Sequence, residues 1–508
     1  MNKFKFNSFR PSFNKVAIAT LILTSLLIML LLSGCGGTSS KTGSLTGSIT
    51  LVNDSGDPSH DPVDYSGIKV AVYESAVLDT VIVRINREYP TIGLLANQET
   101  EFDHRLQKPV ASTQTNGVGK FTFPKLKVGR YNLIYYKEGW GLRYVFNVDV
   151  DKGENSVTTG NSKPSDSLIL YPQYNLPSTI LDAFICKENH TYTAAEDVLF
   201  LNNLTIESGA NILLDRGRKL SVSGSLYTAA TGPKWRITSL SGFIGNVFTE
   251  PVAGDRFGRL ALLEGHGTQI QNGIITNMQD GLMINGNNCQ IDDMLFRNCG
   301  NAVLLFGNGL TYVNSIISNC DDRANYLVGS ASIQGNIIAG NHDAFVLQES
   351  SVDFSNNYLI DNWIGIRPVY GNTHIHHNTF HRNKYGISPM ASDPLIDYNN
   401  FYGSTRYCIQ IQGNYVQAYF DYSNPVVNYN NFYAQNQIVL SLQPDSHPGY
   451  YASNTPGIQN DIDAKNNYWK AANVPDVLLD SEDTDKVRFK IIYLPKRGVP
   501  VSGAGIQN

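Results

Sequence analysis

The densest chemistry in the chain lies in Thr373-His374-Ile375-His376-His377-Asn378-Thr379-Phe380-His381-Arg382. His374 and His376 flank an apolar residue, so on a strand they point to one side. Asp353 stands 21 residues before His374, and Asp397 stands 21 after His376. If the chain repeats with that period, two imidazoles lie between two carboxylates on neighbouring strands. Arg382 follows Asp361 at the same interval. These groups suit a polysaccharide lyase, which neutralises a uronate carboxylate with a cation, takes the α-proton with a base and protonates the leaving oxygen. His374, His376, Asp353, Asp397 and Arg382 are therefore the candidate catalytic residues. The same five also read as polar residues scattered on a solvated sheet, and both readings stay open.

Other chemistries find fewer residues. A glycoside hydrolase needs two carboxylates at a set separation. Asp292-Asp293 and Asp321-Asp322 come nearest, but they fall at different corners of the repeat. A calcium-dependent lyase needs three or more clustered acids, and none assemble. There is no Cys-x-x-Cys and no zinc-like Cys/His spacing, so neither metal nor cofactor is expected. Tyr398, Tyr402, Tyr407, Tyr415, Tyr419 and Tyr422 crowd the next stretch. Aromatic rings pack well on sugar faces, which makes these tyrosines candidate carbohydrate-binding residues. Packing of an inserted loop on its own rings would also account for them.

The elements that hold these residues come from an internal repeat. Asn277, Asn298, Asn319, Asn341, Asn362 and Asn383 lie 21 or 22 residues apart. A second column holds Asn336, Asn357, Asn378 and Asn399, and continues at Asn430 and Asn467 after insertions. Ile333, Phe354, Ile375, Ile396 and Val427 lie three before the second column; Ile338, Leu359, Phe380, Phe401 and Phe432 lie two after it. Such a period predicts one coil of short strands per repeat, stacked through parallel ladders about 4.8 Å apart. Asn suits the corners, because it tolerates left-handed backbone angles and its amide can bond its neighbour. The Leu-x-x-Leu-x-Leu of a leucine-rich repeat is absent. The pattern, with Leu204 to Tyr227 as entry coils, resembles right-handed parallel β-helix repeat proteins of pectate-lyase-like architecture. The fold class is thus all-β, a small β-sandwich followed by a right-handed parallel β-helix. That resemblance implies architecture and carries no catalytic residues over.

The helix is expected over 186–508, closed by Ala464 to Trp469 and a last strand near Val487–Pro495. Insertions interrupt it at about 412–424 and 443–461. Before it, residues 156–185 read as a Ser-, Pro- and Asn-rich linker. Residues 47–155 alternate as strands at both ends, in Ser44 to Leu51, Gly67 to Tyr73, Lys120 to Phe123 and Leu126 to Trp140. Their order resembles the carboxypeptidase regulatory-like domain, a transthyretin-like β-sandwich, which implies a spacer or interaction module. The charged stretch 76–112 departs from that family and reads as an inserted loop or short helix.

The first 34 residues read as an address. Lys3, Lys5, Arg10 and Lys15 precede an apolar run, Val16 to Leu32, that ends in Leu32-Ser33-Gly34-Cys35. This resembles the lipobox of bacterial lipoproteins. It implies cleavage before Cys35, lipid on its thiol, a polar tether over 35–46 and an exported body at the outer membrane or cell surface. Loss of those four cations and no acids moves the net charge from -5 to about -9. An acidic body with no basic stripe excludes nucleic acid. The expected partners are the membrane, through Cys35, and a polysaccharide or envelope protein. The expected function is non-catalytic binding of such a partner, with a polysaccharide lyase or an adhesive surface protein as alternatives. Five cysteines remain, and Cys299 and Cys320, one period apart, should stack as buried free thiols close enough for a disulfide. Cys35→Ala should leave the precursor unprocessed at this site and without acyl label in a radiolabelled-palmitate experiment; normal labelling would end the lipoprotein reading.

Overall fold

The repeat winds the chain into a right-handed parallel β-helix of about 11 turns. The computed structural model describes residues 41–157, 168–240, 255–412, 414–416, 419–421, 423–433, 438–442, 460–471, 473–480 and 489–507. Each coil supplies up to three strands, and each strand pairs in parallel with its counterpart one coil on. In the later coils the first sheet contains Asn372–His376, Leu395–Asp397 and Val426–Asn428. The second contains Tyr358–Ile360, Thr379–His381 and Asn400–Tyr402. The third contains Ile364–Val369, Tyr385–Ile387 and Tyr407–Ile411. Both apolar columns read from the sequence are buried in one continuous core. Phe380, Phe401, Phe432 and Trp469 stack along it, with ring centroids 4.8, 4.9 and 4.5 Å apart, and Trp469 closes the stack.

The polar columns sort into two kinds. Asn336, Asn357, Asn378, Asn399, Asn430 and Asn467 are wholly buried. Each Nδ2 donates to the Oδ1 of the next at 3.0–3.2 Å, and the same Oδ1 accepts the backbone N–H of the earlier Asn. Asn341, Asn362 and Asn383 build a second ladder in the same way. The expected column through Asn277, Asn298 and Asn319 is a different one. Those three hold the left-handed corner one place earlier, which passes to Gly340, Asp361 and Arg382 in later coils. The 22-residue step from Asn319 to Asn341 is the change of column. No ladder Asn has a positive φ. A corner demands tolerance of left-handed angles, whereas a ladder demands a buried donor and acceptor together. Cys299 and Cys320 occupy the ladder column before Asn341; both thiols are buried and free.

The first domain is a sandwich of β1 (Thr42–Leu51), β2 (Lys69–Glu74), β3 (Ala111–Gln114), β4 (Lys120–Lys127), β5 (Gly129–Lys137), β6 (Gly141–Val150), β7 (Gly153–Ser156) and β8 (Leu168–Leu170). One sheet runs β4-β1-β7 with β8 also on β1, and the other runs β3-β2-β5-β6. Alternation in β1 buries Leu45, Ile49 and Leu51 against Val70, Val72 and Leu133. The expected spacers carry more structure than their composition suggests. Residues 42–46 of the tether belong to β1, because they pair with β4 and β7. Within the linker, β8 extends the sandwich, and Tyr174–Asn175, Thr179–Ile180 and Phe184–Cys186 pair with the next coil. Open strand edges nearby template such segments.

The stretch 76–112 holds two α-helices, α1 (Thr80–Glu88) and α2 (Gln98–Glu101), and a 3-10 turn (His104–Leu106) between β2 and β3. Asp79 caps α1, and Asn97 with Thr100 forms a capping box on α2. Ile82 and Ile85 of α1, with Ile92 and Leu94, cover Ile274, Leu295, Ile316, Ile337 and Tyr358 on the outside of the second sheet. Arg297 forks onto Glu101 at 2.9 and 3.0 Å. Buried Arg105 joins Asp103 to Thr238 and Ser239. Farther along, the C-terminal tail runs back over the same face: Val501 bonds Asn431, Ala504 bonds Asn400, and Gln507 reaches Asn356. The outer residues of the first sheet stay partly or fully exposed from Gln269 to Asn428, Ser355 excepted.

Two expectations follow. Asn362→Leu removes the acceptor of Asn341 and a donor to the Ile338 carbonyl, so it should cost about 1–3 kcal/mol in urea unfolding; an unchanged midpoint would refute a ladder role. His104 sits wholly buried beneath Tyr144, and burial pushes its pKa down to about 3. Its folded value lies below its unfolded value of 6.5, so the unfolded chain binds more protons between them. Stability should therefore fall as pH falls from 6.5 towards 3, by up to about 1.4 kcal/mol per pH unit from this group. His104→Gln should flatten that slope between pH 7 and pH 5.

Candidate functional site

Strand Asn372–His376 buries Ile375 completely and turns His374 and His376 outward. The register sets His374 beside Asp353 in the preceding coil and His376 beside Asp397 in the next. The contacts run along the diagonals instead. His374 Nε2 meets Asp397 Oδ1 at 2.8 Å, and His376 Nε2 meets Asp353 Oδ1 at 2.6 Å. This crossing lays the imidazoles over each other, with centroids 4.1 Å apart and planes 34° from parallel. The side chains of His374 and Asp353 are 43% and 48% exposed, against 21% and 16% for His376 and Asp397. Solvent therefore reaches the cluster.

A further histidine belongs to it. His376 Nδ1 lies 2.7 Å from His377 Nδ1, so one ring donates and the other accepts. Burial, and then the neighbouring His376, hold His377 below the usual histidine range. His377 occupies a left-handed corner with φ 56°, as do Tyr398 and Tyr429 in the following coils. Bulky residues rarely adopt such angles. Here their rings stack, with centroids 5.3 and 5.5 Å apart and planes within 10° of parallel. A signal for His377 was present in the sequence: it precedes a ladder Asn and stands 21 residues before Tyr398.

Four of the five candidate catalytic residues thus come together. Arg382 does not join them. It sits at the next corner, beyond Thr379–His381, and forks onto Asp361 at 2.9 and 2.6 Å. Of the other carboxylates considered, Asp293 pairs with Lys234 and Asp321 with Arg256.

The tyrosines divide among separate walls. Both faces of Tyr398 are taken by His377 and Tyr429. Tyr402, at the end of a second-sheet strand, stacks on Tyr433 at 4.7 Å. Tyr407 begins a third-sheet strand, where Arg406 lies over it and over Tyr385. Tyr415 and Tyr419 fall on a hairpin, Asn414–Val416 with Tyr419–Asp421, whose side chains are outside the described residues. Tyr422 and Cys35 are also outside them.

Asp353, His374 and His376 each offer a ligating atom within 4.8 Å of the others, so they could hold a metal ion. No known family model, curated protein or solved structure matches the chain, which leaves the chemistry of its surface as the guide to its function.

Proposed function

We propose that the chain is a lipid-anchored protein of the bacterial cell envelope whose β-helix binds a carbohydrate without turning it over. The observation that carries this reading is one column on the open wall of the first sheet. Gln269, Gln290, Thr311, Ser332, Asp353 and His374 follow one another coil by coil and point outward. Hydrogen-bonding groups repeated about every 4.8 Å suit a polymer that repeats its hydroxyls. The second sheet offers no such wall, because α1, α2 and the C-terminal tail lie on it. The Leu-Ser-Gly-Cys35 ending supports the anchor. The sandwich, in its resemblance to carboxypeptidase regulatory-like modules, would act as a spacer between membrane and helix. An envelope protein is the other partner such a wall could take.

The lyase alternative draws on one observation, the His376–Asp353 contact at 2.6 Å. The pairing of Arg382 with Asp361 at another corner speaks against it, since the expected cation is not beside the histidines.

Affinity electrophoresis of the purified protein through gels containing different polysaccharides tests the proposal. One glycan class should retard it, and Gln290→Ala with Thr311→Ala should weaken retention about tenfold, or about 1.4 kcal/mol. Equal migration in every glycan would sink the binding reading. Unsaturated product from a uronate polymer, abolished by His376→Ala at an unchanged melting temperature, would replace it with the lyase.

A further inference from the structure

The His–Asp cluster has more order than a glycan-binding wall requires. We propose that Asp353, His374 and His376 form a site for one divalent transition ion of the zinc class, with at least one coordination position open to solvent. The inference is independent of whether the wall binds a glycan.

Three observations carry it. The first is proximity: one ligating atom from each residue lies within 4.8 Å of the others. Donors on one tetrahedral zinc ion, each about 2.0–2.1 Å from it, stand ~3.4 Å apart, so a modest rotation of the side chains closes the site. The second is the outer set of partners. A metal-bound imidazole usually has its other nitrogen held by a carboxylate or similar group, which fixes ring orientation and tautomer. His374 has its Nε2 on Asp397, which leaves Nδ1 for the ion. His376 has its Nδ1 on His377, which leaves Nε2 facing the Asp353 carboxylate. A cation between that nitrogen and that oxygen replaces the hydrogen bond between them. The third is a stiff frame. Asp353 and the histidines belong to strands paired in register, with buried Phe354 and Ile375 beneath and the Asn357–Asn378 rung at their ends.

The donor set selects the ion. Two imidazoles and one carboxylate suit zinc, cobalt or nickel, whereas magnesium and calcium take oxygen donors. Three protein ligands with water in the remaining position are the pattern of reactive zinc sites, as opposed to closed structural ones. Such an ion would also place positive charge beside the histidines, where Arg382 does not reach.

The test uses untagged full-length protein in detergent, stripped of metal with a chelator. Zinc(II) is titrated by calorimetry and cobalt(II) by visible absorption. The native protein should bind about one zinc per chain at roughly micromolar affinity, and cobalt should give the d–d bands of a low-coordinate nitrogen and oxygen site. The double variant His374→Ala/His376→Ala should lose that stoichiometry. Asp353→Asn, which keeps the side chain's shape, should weaken zinc at least about tenfold, and Asp361→Asn at the other corner should leave it unchanged. Circular dichroism checks that each variant is folded. Absence of zinc binding at roughly 100 μM, retention of full stoichiometry by a folded double variant, or equal affinity for magnesium would each overturn the proposal.

Discussion

The structure depends on polar groups being satisfied at the corners of its coils. Between strands, the backbone leaves its ladder and its N–H and C=O groups need new partners away from water. The buried asparagines provide them. Asn378 Nδ2 reaches the carbonyls of Phe354 and His376 and the Oδ1 of Asn399, while its own Oδ1 accepts from Asn357. One side chain thus joins three consecutive coils. An unpaired amide in that position would carry the full cost of desolvation. Repetition is what makes the device work, since an Asn inside the column accepts from the Asn before it and donates to the Asn after it, besides bonding backbone carbonyls.

Stacked coils leave three outer walls, and the chain treats them differently. The second sheet presents Ile274, Leu295, Ile316 and Ile337 outward, an apolar strip that water would disfavour. The insertion between β2 and β3 covers it, and the Arg297–Glu101 pair and the bonds from Arg105 to Thr238 and Ser239 fix that cover at its edges. The tail from Arg497 onward continues the cover over the later coils. Sandwich and solenoid are joined along a flank as well as end to end, where Asp54 meets His190 and Lys187. The first sheet stays open; its outer residues are mostly polar, with Val313, Leu395 and Val426 as apolar exceptions.

The histidine cluster uses that openness. Parallel register gives the wall a lattice of outward positions one coil apart, and two adjacent positions on one strand hold imidazoles. Their partners lie on the diagonals, so neither carboxylate bonds the imidazole beside it in register. Because the rings overlap and His377 closes one side, the cluster has a defined shape on that wall.

Much of this was legible in the sequence. A period of about 21 residues with inward columns such as Ile375 and Phe380 suffices for a β-helix, because a coil that cannot bury its own core must stack. The same period placed Asp353, His374, His376 and Asp397 on one wall, since register follows from counting residues. Counting could not separate Asn319 from Asn341, which lie in adjacent columns with opposite backbone demands. Nor could it foresee that residues 76–112 cover isoleucines about 200 residues later, or that residues 168–170 join β1. Those contacts depend on which surfaces are left bare once the coils have formed. The crossed His–Asp pairs and the distance of Arg382 from them were also decided in three dimensions. Sequence spacing names the strand and the face, whereas rotamers and the competing carboxylate of Asp361 choose the partner.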